Sequence, residues 1–361
     1  MGAALSTAGF RVGGEGLHHR PARAASLGVR SVKVAACGQV FAADEDQKDV
    51  FMERYGFGVV GAGIMGRRMI AALQQHPRCR VAALWDPDPA ALGDAAALAP
   101  DARRADSLAA LLQTDGVDAV YIASPPAFHL AGVRAVLAAG RAVLCEKPLP
   151  HRLDEALALR DAVAAAGLPF AVNFPFARAA AARRLVELVQ SGALGETEQV
   201  TLTLRFATWP RAWQAGAQPW LAGPAEGGFS REVLSHFVFL ANRLFGPGQV
   251  DSVQLERAPG QTETRLRARL VHGAVSVVVD AAVEGEVVDH NRFEVVGRHD
   301  RAALTSWYCL EHAGRTSARV DPSASTLDGF TDLLDGRADA GLATVDEAMA
   351  VVRTVEALLA G

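Results

Sequence analysis

The sequence predicts an α/β protein in two parts, a doubly wound parallel sheet followed by an α+β portion whose sheet is largely antiparallel and open. Three observations predict it. Short apolar runs alternate with helical patterns from Gly56 to Asn173, the rhythm of strands joined by crossover helices. The first run ends in three glycines, Gly61, Gly63 and Gly66, directly before a helical pattern. Beyond Val250 the apolar runs succeed one another with no helix between them, and such strands pair antiparallel.

In order along the chain, strand 56–60 passes through the glycines into helix 64–75, which His76-Pro77 closes because proline cannot continue a helix. Strand 80–85 follows, then a helix near 89–98 and a short helix at 107–113. Asp118–Ala123 is a buried strand, helix 127–139 ends at Gly140, and strand 142–145 runs into Glu146. Helix 153–166 ends at Gly167, and strand 169–172 ends at Asn173. The second part begins with helix 178–190 and strand Gln199–Ala207. A loop carrying Trp209, Trp213 and Trp220 leads to the helical run Ser230–Leu244. Strands follow at Val250–Arg257, Thr262–Val271, Ala274–Val283, Asn291–Val296 and Arg301–Tyr308, and helix Val345–Leu359 closes the chain. The domains expected are therefore 53–173 and 174–361. An open sheet face in the second suggests homodimers or homotetramers.

Composition bounds the function. The chain has 361 residues, is 50% hydrophobic and carries a formal net charge of −4. That balance, with no basic stripe interleaved with aromatics, argues against nucleic acid as a partner. Charges interrupt every apolar run before membrane-spanning length. Cys37, Cys79, Cys145 and Cys309 are scattered, which suggests no disulfide framework, no zinc site and a reducing, cytoplasmic compartment. His272, His290, His299 and His312 lack metal-ligand spacing, so no metal is expected. Residues 1–52 read as a disordered or artefactual extension. From Met1 to Ala43, Arg11, Arg20, Arg23, Arg30 and Lys33 stand against Glu15 alone, and Met52 would begin the domain naturally.

The glycines give the first part its task. Gly61 permits a tight turn, Gly63 lets backbone approach a pyrophosphate, and Gly66 lets the helix pack closely on the strand, so that helix N–H groups and dipole face the phosphates. The cofactor expected is a dinucleotide held by Gly61, Ala62, Gly63, Ile64, Met65 and Gly66, in a Rossmann-type arrangement. Asp86 ends the second strand, where an acid accepts ribose hydroxyls and repels the extra phosphate of NADP, which favours NAD. Arg67 and Arg68 on the first helix keep NADP as the alternative.

Polar residues at the other strand ends supply the chemistry, because ligands bind beyond the carboxyl ends of such strands. Glu146-Lys147-Pro148 places a lysine at the cofactor face, where it can orient a substrate oxygen or act as acid/base; the alternative is a solvated pair. In Gly227–His236, Glu232 and His236 fall four apart on one helix face. The carboxylate could hold the imidazole while its other nitrogen exchanges a proton with a substrate hydroxyl; the alternative is an ordinary surface or core pair. Ser124-Pro125-Pro126 opens a helix with His129 in its first turn, a contact to cofactor or substrate or a packing residue.

The ordered set G-A-G-I-M-G, S-P-P-x-x-H, E-K-P, N-F-P-F-A-R and G-G-x-x-R-E-x-x-S-H resembles the Gfo/Idh/MocA oxidoreductase family, named for glucose–fructose oxidoreductase and inositol dehydrogenase. The resemblance covers about 56–361, and Leu342–Ala348 is similar to the lead into the family's last helix, which returns to the first domain. It implies that Lys147 acts with substrate and nicotinamide, and that Asn173, Arg178, Glu232 and His236 line the substrate side. Where the family usually has Asp-x-x-x-His this chain has Glu232, and Phe239 stands where a further Asp is common. The function implied is hydride transfer between nicotinamide and a carbinol or carbonyl carbon of a sugar, polyol or related small molecule. The alternatives are an NAD-dependent glycosidase with transient oxidation and a non-catalytic cofactor-sensing regulator similar to the yeast galactose repressor.

Overall fold

The computed structural model describes residues 54–337 and 340–361; the extension expected over 1–52 lies outside the described residues. In the first part β1 (Tyr55–Val60), α1 (Ile64–Gln75), β2 (Cys79–Trp85), α2 (Pro89–Leu98), β3 (Arg103–Arg104), α3 (Leu108–Leu112), β4 (Ala119–Ile122), α4 (His129–Ala138), β5 (Ala142–Glu146), α5 (Leu153–Ala166) and β6 (Phe170–Asn173) follow one another. Their sheet is parallel throughout, in the order β3-β2-β1-β4-β5-β6. The order reverses between β1 and β4, and the crevice beyond their carboxyl ends is where such sheets bind ligands. The central strands are apolar along their whole length because helices cover both faces: every residue of β4 is buried.

The second part contains α6 (Ala180–Gln190), β7 (Thr197–Phe206), a short α7 (Gln218–Leu221), a π-helical turn over Ser230–Leu234, and α8 (Ser235–Phe245). β8 (Gln249–Glu256), β9 (Arg265–His272), β10 (Val275–Val283), β11 (His290–Gly297), β12 (Arg301–Thr305), β13 (Cys309–His312) and β14 (Arg315–Thr316) then build an eight-stranded sheet with β7 in its interior. β7 alternates as a strand covered on one face should: Val200, Leu202, Leu204 and Phe206 are buried, and Thr201, Thr203 and Arg205 are only half-buried. One neighbour departs from antiparallel order. β10 runs parallel to β7, which the long connection between them permits.

Two further features depart from the sequence expectation. The strand expected over Arg301–Tyr308 stops at Thr305, where Ser306 (φ 47°) and Trp307 (φ 70°) turn through the left-handed region. Neither residue is glycine, and such backbone persists only where surroundings hold it. Here Asn291 Oδ1 accepts the Trp307 N–H at 2.7 Å, and Asp289 Oδ2 accepts the indole N–H at 3.0 Å. The second is α9 (Ser323–Leu334), a helix with weak local signals that folds because Leu327 and Phe330 are fully buried, Phe330 against Phe57.

The closing helix α10 (Val345–Ala360) starts with a capping box between Thr344 and Glu347, which satisfies donors at the helix start. It packs on α5 and α8. Just before it, Ala343 O accepts the N–H of Val172 in β6 at 2.9 Å. One hydrophobic cluster runs from Val120 and Val143 of the parallel sheet through α8 and α10 to Leu204 and Leu270 of the second, so the two sheets share a core.

Candidate active site

The glycine turn has the geometry the spacing implies. Gly61 sits at φ 93°, and a Cβ there would lie 2.7 Å from the backbone of Ala123. At Gly66 a Cβ would lie 1.9 Å from the Gly61 carbonyl, whereas at Gly63 it would meet nothing within 4 Å. Space therefore remains over the turn itself. α1 has no side-chain cap and no acid in its first turn, so its leading N–H groups are left for an outside anion. These residues fit a dinucleotide. Ser124 and Pro125 flank the turn at the end of β4, the Ser124 amide lying 2.8 Å from where a Gly61 Cβ would stand.

Asp86 is tied into this turn. Its Oδ2 accepts the Ala62 N–H at 2.6 Å and its Oδ1 the Asp88 N–H at 2.8 Å. The carboxylate thus fixes the glycine loop while keeping a second lone pair on each oxygen.

Glu146, at the end of β5, is buried and accepts from the Tyr121 hydroxyl, Asn173 Nδ2 (2.6 Å) and the Lys147 amide (3.2 Å). Burial pushes its carboxyl up, opposed by Tyr121, the Lys147 charge and Asn173. Anchored by this hub, Lys147 sends Nζ into the crevice, where it donates to Glu232 Oε2 at 2.6 Å and to the Glu232 carbonyl at 2.8 Å; its side chain is 8% exposed. Lys147 is the only lysine among the described residues, in a chain whose other lysines are Lys33 and Lys48 against 36 Lys and Arg in all. Arginine is the long-chain cation elsewhere among the described residues, so the compact ammonium head of lysine is confined to this position.

The expected pairing of Glu232 with His236 does not form. The π-helical turn displaces the four-residue register, and the carboxylate is taken by Lys147, by Gln214 Nε2 at 3.2 Å and by Arg211 at 3.6 Å. His236 stands apart from it with no hydrogen bond. Its Nδ1 is buried and unpartnered, and Trp307, Phe176 and Phe174 meet the ring edge-on at 5.3, 5.8 and 5.9 Å. Burial first, then the charges of Lys147 and Arg211, hold it well below the usual histidine range, so it is a neutral imidazole at pH 7.

Two further expected contacts are corrected. His129 is fully buried, and its ring nitrogens face the carbonyls of Ser124 (2.8 Å) and Pro148 (3.1 Å). Two carbonyls favour the protonated ring, but burial outweighs them and lowers its pKa to about 4. The neutral ring braces the β4 end against the segment after Lys147 and has no face for a ligand. Arg178 points away from the crevice, donating to the carbonyls of Ser325 (2.9 Å) and Ala340 (2.8 Å). It thereby ties α9, through Ser325, to the segment at Ala340.

The site also has a roof that no motif in the sequence marks. Arg211 is 3% exposed by side chain and donates to Asp289 (2.6 Å) and Gln214 Oε1 (3.0 Å). Its guanidinium lies 4.7, 5.6 and 5.8 Å from the ring centres of Trp213, Trp209 and Trp307, within cation–π range. The tryptophan-rich loop was the available signal; its arginine was not distinguished from the chain's many others.

A family model described as an oxidoreductase family with an NAD-binding Rossmann fold, GFO_IDH_MocA, matches residues 55–174. A D-xylose 1-dehydrogenase (NADP(+)) of Haloferax volcanii is 35% identical over 170 residues, 46% of this chain and 51% of that protein. An inositol 2-dehydrogenase of Leifsonia xyli is 34% identical over 181 residues, 46% of this chain and 53% of that one. The matches thus span about half the length of these curated relatives. Among solved structures, GenD2 from gentamicin A biosynthesis in complex with NAD has a TM-score of 0.72 at 24% identity, covering 86% of this chain and 94% of that one, a likeness of fold. Over residues 55–174 the chain is thus similar to the NAD-binding Rossmann fold of the Gfo/Idh/MocA oxidoreductase family.

Proposed function

We propose that the protein is an NAD(P)-dependent oxidoreductase acting on a carbinol or carbonyl carbon of a sugar, polyol or related small molecule. The observation that carries this reading is the largely buried Lys147–Glu232 ion pair beyond the carboxyl end of β5, near an unpartnered neutral histidine. The dinucleotide, held by the turn and Asp86, supplies a hydride acceptor or donor. Lys147, held by Glu232 at 2.6 Å, polarises the substrate oxygen. His236 takes the hydroxyl proton in the oxidation direction and returns it in reduction, since an uncharged ring with a free nitrogen is the form a base requires. Glu232 serves Lys147 rather than His236. Asn173 and Glu146 hold the backbone from which Lys147 projects. Asp86 favours NAD over NADP, and the outer face of the second sheet, with Val278 exposed at its centre, is the surface through which a homodimer or homotetramer would form.

The test is a screen of polyols, aldoses and cyclic alcohols with NAD and NADP, followed by the absorbance of reduced nicotinamide. Turnover of at least one cyclic or open polyol is expected. With a substrate in hand, Lys147→Ala and His236→Ala should each lower kcat, the mark of a lost transition-state contact. An unchanged kcat in both variants would remove the site assignment.

A further inference from the structure

Trp213 stands where the two halves of the site meet. Although 42% exposed, its ring has the guanidinium of Arg68 4.7 Å from its centre and that of Arg211 also at 4.7 Å. The two arginines belong to different machinery. Arg211 and the adjacent Gln214 are bonded to each other, and both reach Glu232, whose other oxygen holds Lys147. Arg68 lies on α1, two residues past Gly66, and has no carboxylate partner among the described residues; it also meets Met65 Sδ at 4.0 Å, and its charge acts on the Tyr308 hydroxyl. It is thus a cation without an anion, next to a helix start with no cap and no acid. A helical side chain leans toward its helix N-terminus, which aims Arg68 at the glycine turn.

We propose that Trp213 is a positioning residue through which occupancy of the glycine turn sets Glu232 against Lys147. The pyrophosphate of a bound dinucleotide supplies the anion Arg68 lacks, and the guanidinium moves to it from the indole face. Trp213, relieved of one of two like-charged neighbours, carries Arg211 and Gln214 with it, and the hold of Glu232 on Lys147 changes. The proposal rests on the nucleotide reading of the turn and needs no knowledge of the substrate.

The test uses Lys147 as its own reporter, because so few lysines are present. The full chain is treated with an amine-acylating reagent, with and without ADP-ribose, which carries the pyrophosphate but no nicotinamide, and the rate at Lys147 is read by mass spectrometry. ADP-ribose binding is measured separately by calorimetry. ADP-ribose should change the Lys147 rate by threefold or more in the wild type. With ADP-ribose set to saturate each variant from its own calorimetric affinity, which Arg68→Met is expected to weaken, the change should be lost in Trp213→Leu and Arg68→Met and kept in Trp213→Phe, which retains a ring face. An equal change in wild type and Trp213→Leu would mean direct shielding and overturn the proposal, as would no change in a wild type that binds. Absence of binding by ADP-ribose, NAD and NADP alike would instead overturn the nucleotide reading on which it rests.

Discussion

At the scale of single residues, burial decides the chemistry. Burial and two neighbouring cations keep His236 neutral, while a carboxylate at 2.6 Å fixes the position of Lys147 Nζ. Replacing Lys147 with Ala should lower kcat by on the order of 10²–10⁴, with cofactor affinity by calorimetry changed far less. The histidines also set the acid limit of the fold. His129 has its pKa lowered to about 4 from 6.5, so between those values the unfolded chain binds a proton that the folded one refuses. Its contribution is complete above pH 6.5 and is lost as pH falls toward 4, a change of about 3 kcal/mol. His236 adds in the same direction. Urea midpoints at pH 7 and pH 5 should show a smaller fall in His129→Gln than in the wild type. An equal fall would mean that another group governs acid unfolding.

At the scale of elements, local signals were strongest where backbone chemistry is unusual. The G-x-G-x-x-G turn, the Gly167 helix end and the alternation along β7 could be read directly, since each reflects an allowed backbone state or a period of two. Gly66→Ala sets a Cβ 1.9 Å from the Gly61 carbonyl and should cost about 1–3 kcal/mol, with cofactor binding weakened in step. α9 could not be read, because its serines, threonines and glycine favour no helix and its cause is Phe57, far away in sequence. Nor could the break after Thr305, which Asn291 and Asp289 impose from β11 and the residue before it. Arg178, read from its motif as a substrate contact, instead joins α6's approach to α9. Arg178→Met should lower the free energy of unfolding by about 1–3 kcal/mol and leave KM within twofold; a large rise in KM would restore the substrate role.

At the scale of the whole molecule, the site depends on the two sheets sharing one core. α10 closes that core with Val351, Val352, Val355, Leu358 and Leu359 buried, and Arg231 grips Glu356 through paired bonds of 2.7 Å. Arg231 precedes Glu232, so the last helix fixes the start of the π-helical turn that carries the partner of Lys147. A chain ended after Thr344 should leave the apolar faces of α5 and α8 bare and be recovered aggregated. A monodisperse, folded product by size exclusion and circular dichroism would contradict this.

The sequence by itself determined the parallel sheet, the glycine turn, the acid at the end of β2 and the identity of Lys147, because these follow from periodicity, turn geometry and position along the chain. Only the tertiary structure decided which partner each polar group took. Glu232 lies four residues from His236, yet it joined a lysine eighty-five positions away at 2.6 Å. The reason is physical: a buried carboxylate seeks the nearest desolvated cation, and distance through space is set by packing of the whole chain.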